Sequence, residues 1–193
     1  MNPQGIIAAN GKIFVCNSGN GSDSTVSVID PAVDSVVTTI TVGKSPADIA
    51  IDNDGEITVL CNGFTDYSNP NNDTPGSIVV IDPKTFAINR TIPLPLAVYG
   101  HPNELAVSSK GYGFTVVKNG VLKFDTKSNS IISSQFIPRT SYSIAVDDAT
   151  ERIYLGDAKD YNSNGKVYVY EKNASIKDSV TVGIIPGTII FKH

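Results

Sequence analysis

"STVSVIDPAVDSVVTTITVGKSP", residues 24–46, reads as two strands around one tight turn, and it returns as "GSIVVIDPKTFAINRTIPLP" at residues 76–95. Weaker echoes follow in "NGVLKFDTKSNSIISSQFIPRT" and "GKVYVYEKNASIKDSVTVGIIP". Each copy gathers Val, Ile, Thr, Phe and Tyr into short runs that suit a pleated, half-buried surface. Between the runs, Asp30-Pro31 and Asp82-Pro83 predict a type I turn. Proline presets φ at the second turn position, and the aspartate bonds back to the turn backbone.

Outward from these hairpins lie matching units that begin at Pro3, Pro46, Pro102 and Pro186: "PQGIIAANG", "PADIAIDNDG", "PNELAVSSKG" and "PGTIIFKH". One copy lacks its proline, which falls near Ser141 in "SYSIAVDDAT". The long step from Pro46 to Pro102 is explained by the insertion "FTDYSNPNNDTPG", so the period is about 42 residues. Asn10-Gly11, Asp54-Gly55 and Lys110-Gly111 fall between first and second strands, where a hairpin needs positive φ. No helix-length periodicity interrupts the pattern. Four short antiparallel strands at a fixed period predict an all-β chain, a β-propeller; a β-sandwich has short strands without the period. The blades are expected at residues 3–43, 45–100, 101–140 and 141–183. "GTIIFK" at 187–192 is expected as a fifth innermost strand with no strands after it.

"KIFVCNSGNGSDSTVSVIDPAVDSVVTTITVG" resembles the YVTN repeat family, the YncE-like seven-bladed propellers. The resemblance spans the chain, strongest in the first two units and looser in "GFTVVKNGVLKFD", where the Asn-rich loop is nearly deleted. It implies about three further blades, with this chain as the C-terminal part of a longer bacterial propeller. A closed four-bladed ring is the rival, and it leaves the fifth strand orphaned. The resemblance also implies a periplasmic, cell-surface or secreted repeat protein that binds ligands.

The chain has 193 residues, 40% hydrophobic and 18% charged, the composition of a globular protein. Fifteen Lys and Arg against nineteen Asp and Glu leave a net charge of −4. That balance gives no electrostatic reason for nucleic acid or an anionic membrane as partner. No apolar run has the length of a spanning helix. Cys16 and Cys61 sit at equivalent points of successive repeats and read as inert buried thiols. No GxSxG, HExxH or phosphate-cradling glycine loop is present, so no catalytic residue and no cofactor is assigned.

Strand parity puts the long loops and the links between blades on one face, and only tight turns on the other. Long loops on a rigid scaffold concentrate binding residues. The candidate ligand-binding residues on that face are Lys44, Asp48, Asp66, Tyr67, Tyr99, His101, Glu104, Arg139, Tyr142, Asp160 and Tyr161. Asp48 and Glu104 each stand two residues after a proline, weak metal candidates that read equally as strand caps, since the matching slots hold Gly5, Ser143 and Thr188. The loops "TDYSNPNND" and "DAKDYNSN" lack the ligand spacing of a calcium loop, and Asx turns explain their composition. The tyrosines offer flat contact area for a ring-shaped or sugar-like ligand. The expected function is a non-enzymatic binding propeller for a small molecule or protein. The alternatives are a lactonase-like hydrolase, with Asp48, Glu104 and His101 on a metal, and a structural surface-layer repeat. Further partners expected are the missing N-terminal blades or a second copy of the chain.

Overall fold

A computed structural model describes residues 2–128 and 130–192. Sixteen strands form four sheets of four, each antiparallel and in sequence order. Blade one holds β1 (Pro3–Ala9), β2 (Lys12–Asn17), β3 (Thr25–Asp30) and β4 (Ser35–Thr41). Blade two holds β5 (Pro46–Ile51), β6 (Ile57–Cys61), β7 (Gly76–Ile81) and β8 (Ile88–Leu94). Blade three holds β9 (Asn103–Ser108), β10 (Tyr112–Val117), β11 (Gly120–Asp125) and β12 (Ile131–Ile137). Blade four holds β13 (Ser143–Asp147), β14 (Arg152–Asp157), β15 (Lys166–Tyr170) and β16 (Ile176–Thr181). Among the described residues there is one α-helical turn, α1 (Leu96–Tyr99), in the link between blades two and three. Among the described residues, no helix is long and apolar enough to cross a membrane.

The turn chemistry is as the sequence predicts. Asn10 and Gly11 take φ of 46° and 71°, the paired positive values of a two-residue hairpin. Asp30, Asp82 and Asp125 accept from the backbone N–H two residues on, at 2.9, 2.7 and 2.9 Å. Such a bond fixes the turn before any tertiary contact forms.

Burial alternates along the strands because successive side chains face opposite neighbouring sheets. Phe14, Val26 and Val28 of blade one meet Ile49, Ile57 and Val79 of blade two in one apolar cluster. Leu60, Ile78 and Leu94 meet Leu105, Leu122 and Phe124 across the next seam. Phe114, Val116 and Ile137 meet Ile144, Ile153 and Leu155 across the third. Gly113 belongs to the packing of the second seam: a Cβ there would stand 2.0 Å from the Phe124 ring, so the ring takes the space that only glycine leaves. Cys16 and Cys61 are buried and free, and burial pushes both thiols up to about 12, as inert thiols require.

The inner strands pack in succession, β1 on β5, β5 on β9 and β9 on β13, with no comparable contact from β13 back to β1. The four blades therefore form an open arc of a β-propeller, not a closed four-bladed ring. The expected strand at 187–192 is corrected: the segment makes no ladder. A strand needs a hydrogen-bonded neighbour, and no second strand stands beside it. It lies instead against blade four, where Phe191 packs on Tyr154 at 5.0 Å between ring centroids and the Pro186 carbonyl accepts from the Ser143 hydroxyl.

Candidate functional site

Asp48 on β5 and Glu104 on β9 occupy matching places in sequence but not in register. Asp48 pairs with Leu60 just after a bulge at Ala47, which is skipped between Pro46↔Cys61 and Asp48↔Leu60. Glu104 is skipped between Leu105↔Thr115 and Asn103↔Val116, a bulge at which its φ is +58°. A non-glycine residue at that φ costs energy, and such strain gathers at functional positions. The bulge turns the Leu105 N–H toward the neighbouring blade, where it donates to Asp48 Oδ2 at 2.8 Å. Ile49 N–H donates to the other oxygen, Oδ1, at 2.8 Å. Burial raises the Asp48 carboxyl against the pull of these two donors. Glu104 has no such donors; burial first, and the Asp48 charge second, push it up to about 7.

His101 does not join them. Its Nδ1 lies 3.1 Å from the Asn62 carbonyl and its Nε2 3.5 Å from Asp73, both in the blade-two loop 62–75. It is a strap on that loop. Among the described residues, no three His, Cys, Asp or Glu side chains are grouped so as to hold a metal ion.

Of the other candidates, four serve the fold. Asp66 accepts from Ser68 N–H, Ser68 Oγ, Asn69 N–H and Asn72 Nδ2 at 2.5–3.1 Å. Asp160 accepts from Asn162 N–H, Ser163 N–H and Ser163 Oγ at 2.7–3.0 Å. Both organise their own loops and have few lone pairs left for a ligand. Tyr99 packs, half-buried, against the apolar seam between blades two and three, and its carbonyl accepts from Lys118 N–H. Lys44 reaches the Ser22 carbonyl at 3.3 Å within blade one's rim.

The remaining aromatic candidates divide between two clefts on the loop face. Tyr67, 95% exposed, shares one with His101, Asn20, Phe64 and Ser45. Tyr142 and Tyr161 stand edge-to-face at 5.8 Å over the other, about 250 Å³ in volume, with Asn103, Thr140, Ser141 and Lys159. Arg139 flanks this second cleft; its Nε donates to Tyr170 Oη at 2.9 Å and its guanidinium lies 3.8 Å from the Tyr168 ring centre. Tyr67 and His101 thus share one cleft, and Tyr142 and Tyr161 another.

Sequence reasoning passed over Ser141. Its hydroxyl is shielded from solvent and has no hydrogen-bond partner among the described residues. The signal was present, because Ser141 stands where the other repeats carry proline. Losing the proline puts a hydroxyl at the floor of the cleft.

No protein-family model matches the chain, and no curated protein matches it in sequence. Among solved structures it is similar to hydrazine synthase from Kuenenia stuttgartiensis, with TM-score 0.69 and 17% identity over 95% of this chain and 54% of that one. It is similar to a gluconolactonase from Xanthomonas campestris, with TM-score 0.65 and 17% identity over 96% and 63% of the two chains. It is also similar to the Pan2 WD40 domain of Neurospora crassa, with TM-score 0.63 and 14% identity over 95% and 52%. The chain spans between 52% and 63% of these structures. At such identities the likeness carries the β-propeller fold and nothing finer.

Proposed function

We propose that this chain is a binding propeller of the YVTN-repeat, YncE-like kind, exported to the periplasm or cell surface, whose loop face takes a small ring-shaped polar ligand of the sugar class. The observation that carries the reading is the Tyr142–Tyr161 pair standing over the unpartnered Ser141 hydroxyl. A sugar ring stacks its C–H face on an aromatic and needs hydroxyl, amide and ammonium partners at its edge. Ser141, Asn103, Thr140 and Lys159 supply those groups in one cleft. A buried hydroxyl without a partner costs about 1–3 kcal/mol, which a ligand hydroxyl recovers. The open arc also supports a ring that further blades complete.

The lactonase-like alternative needs Asp48, Glu104 and His101 on one ion, and His101 lies instead against Asn62 and Asp73 of the blade-two loop. The two readings separate in one experiment. Glucose is titrated into the protein while ring signals of Tyr142 and Tyr161 are followed by NMR, and glucono-lactone hydrolysis is assayed in parallel. Saturable shifts that weaken about tenfold in Tyr142→Ala and Tyr161→Ala, without hydrolysis, are the expected result. Hydrolysis above background that is abolished by Glu104→Gln makes the enzyme reading the better one.

A further inference from the structure

The third seam differs from the other two on the face opposite the loops. Two residues before the turn aspartates Asp30 and Asp82, blades one and two carry Val28 and Val80, 0% and 1% exposed. The matching residue before Asp125 in blade three is Lys123. Its side chain enters a cavity of about 340 Å³ between blades three and four, lined by Ser108, Tyr112, Phe114, Val146, Glu151 and Lys172. The Lys123 ammonium lies 3.9 Å from the Tyr112 ring centre, 4.8 Å from Phe136 and 5.8 Å from Phe114. Rings attract a cation through their faces but leave its N–H donors without acceptors. Among the described residues no carboxylate forms an ion pair with Lys123. Glu151 is the acid in the cavity, and it is tied to Lys172 Nζ at 3.0 Å. Burial lowers the affinity of Lys123 for its proton, against a smaller opposing pull from the Glu151 carboxylate.

We propose that this cavity binds a small monoanion with a flat apolar body, of the aromatic carboxylate class, its carboxylate on the Lys123 ammonium and its ring between Tyr112, Phe114 and Val146. Three features favour that chemistry over others. Two lysines against one glutamate leave the cavity positive. Tyr112, Phe114 and Val146 give the cavity apolar walls beside the Lys123 ammonium. The volume suits one ring and its ordered water, not a peptide.

The test uses the whole chain and benzoate as the probe, with benzylamine as the cation of matching shape. Lysine Cε–Hε and aromatic signals are followed by NMR during each titration. The expected result is a saturable benzoate shift of the Lys123 and Tyr112 signals with Kd on the order of 1 mM, and no benzylamine shift at those residues. Lys123→Met keeps the apolar stem, and should weaken benzoate at least tenfold while its circular dichroism matches the parent. Absence of the benzoate shift, an equal shift with benzylamine, or undiminished binding to folded Lys123→Met overturns the proposal. If Lys123→Met does not fold, the benzoate–benzylamine comparison on the parent chain decides alone.

Discussion

Two pairs of carboxylates stand in contrast. Asp66 and Asp160 sit on long exposed loops amid Asn and Ser, the composition that suggests ligand binding. Their oxygens instead accept from their own loop's backbone and side chains, which holds both carboxyls down at about 2. Asp48 and Glu104 sit on inner strands, within the short runs "PADIAI" and "NELAVS". Burial raises both, and Glu104, without a donor, reaches about 7. Burial set against the supply of donors therefore decides whether an acid is held ionised as scaffold or brought toward titration: exposed Asp66 and Asp160 are lowered, whereas buried Asp48 is raised even with two N–H donors.

The largest effect separating the pairs is expected at Asp48, because its Oδ2 ties blade two to the Leu105 N–H of blade three while its Oδ1 holds its own strand's Ile49 N–H. Asp48→Ala leaves the Leu105 and Ile49 N–H groups without acceptors, each a loss of about 1–3 kcal/mol before relief of the buried charge is counted. The net expectation is a loss of roughly 2 kcal/mol, or a Tm lower by about 4–8 °C. Asp48→Asn keeps one acceptor and should lose about half as much. Thermal melts of both variants make the check. A Tm for Asp48→Ala within a degree of the parent breaks the comparison, since Asp48 would then tie nothing.

This contrast also marks how far the sequence could be read. The repeat made the blades legible because Asp30, Asp82 and Asn10-Gly11 write their turn geometry locally. Segment 187–192 misled because strand-like composition says nothing of whether a neighbour is there to pair with. Asp66 and Asp160 are legible as Asx-turn residues, since each accepts from the backbone N–H groups two and three residues on. Glu104 matches Asp48 in sequence, but its bulge and its separation from His101 depend on which side chains meet across a seam. Ser141 and Lys123 each break the repeat at one position, a missing proline and a missing valine. Departures from the internal pattern pointed to the clefts better than the loop composition did.

A smaller effect, of opposite sign, is expected at Glu104. Its folded pKa of about 7 lies above its ordinary 4.5, so the folded state holds the proton more tightly than the unfolded. The associated stability is full below about pH 4.5 and is lost as pH rises through about 7. Glu104→Gln has no proton to lose there. It should be close to the parent at pH 5 and more stable at pH 8, by about 1 kcal/mol once partial solvent screening is allowed for. Urea melts at the two pH values test this. An identical difference between variant and parent at both would mean that Glu104 titrates as an ordinary acid.

The smallest global effect belongs to Asp66, and it sharpens the contrast from the other side. Its folded pKa lies below the ordinary value, so its contribution is present above about pH 4 and fades as pH falls through about 2. The carboxyl is exposed, and what it orders is the 66–72 loop, so the core should not register the change. Asp66→Asn keeps one oxygen for the Ser68 and Asn69 N–H groups but presents an amide NH2 to Asn72 Nδ2, where two donors then meet. The expected outcome is a Tm within about 1 °C of the parent, together with faster amide exchange at Ser68 and Asn69 and faster proteolysis within the loop. In the parent, the same two amide signals should shift on acidification with a midpoint near 2, while the blade signals hold. A Tm drop as large as that of Asp48→Ala would show that the loop carries the load assigned to the inner strands, and the division between the two kinds of carboxylate would be wrong.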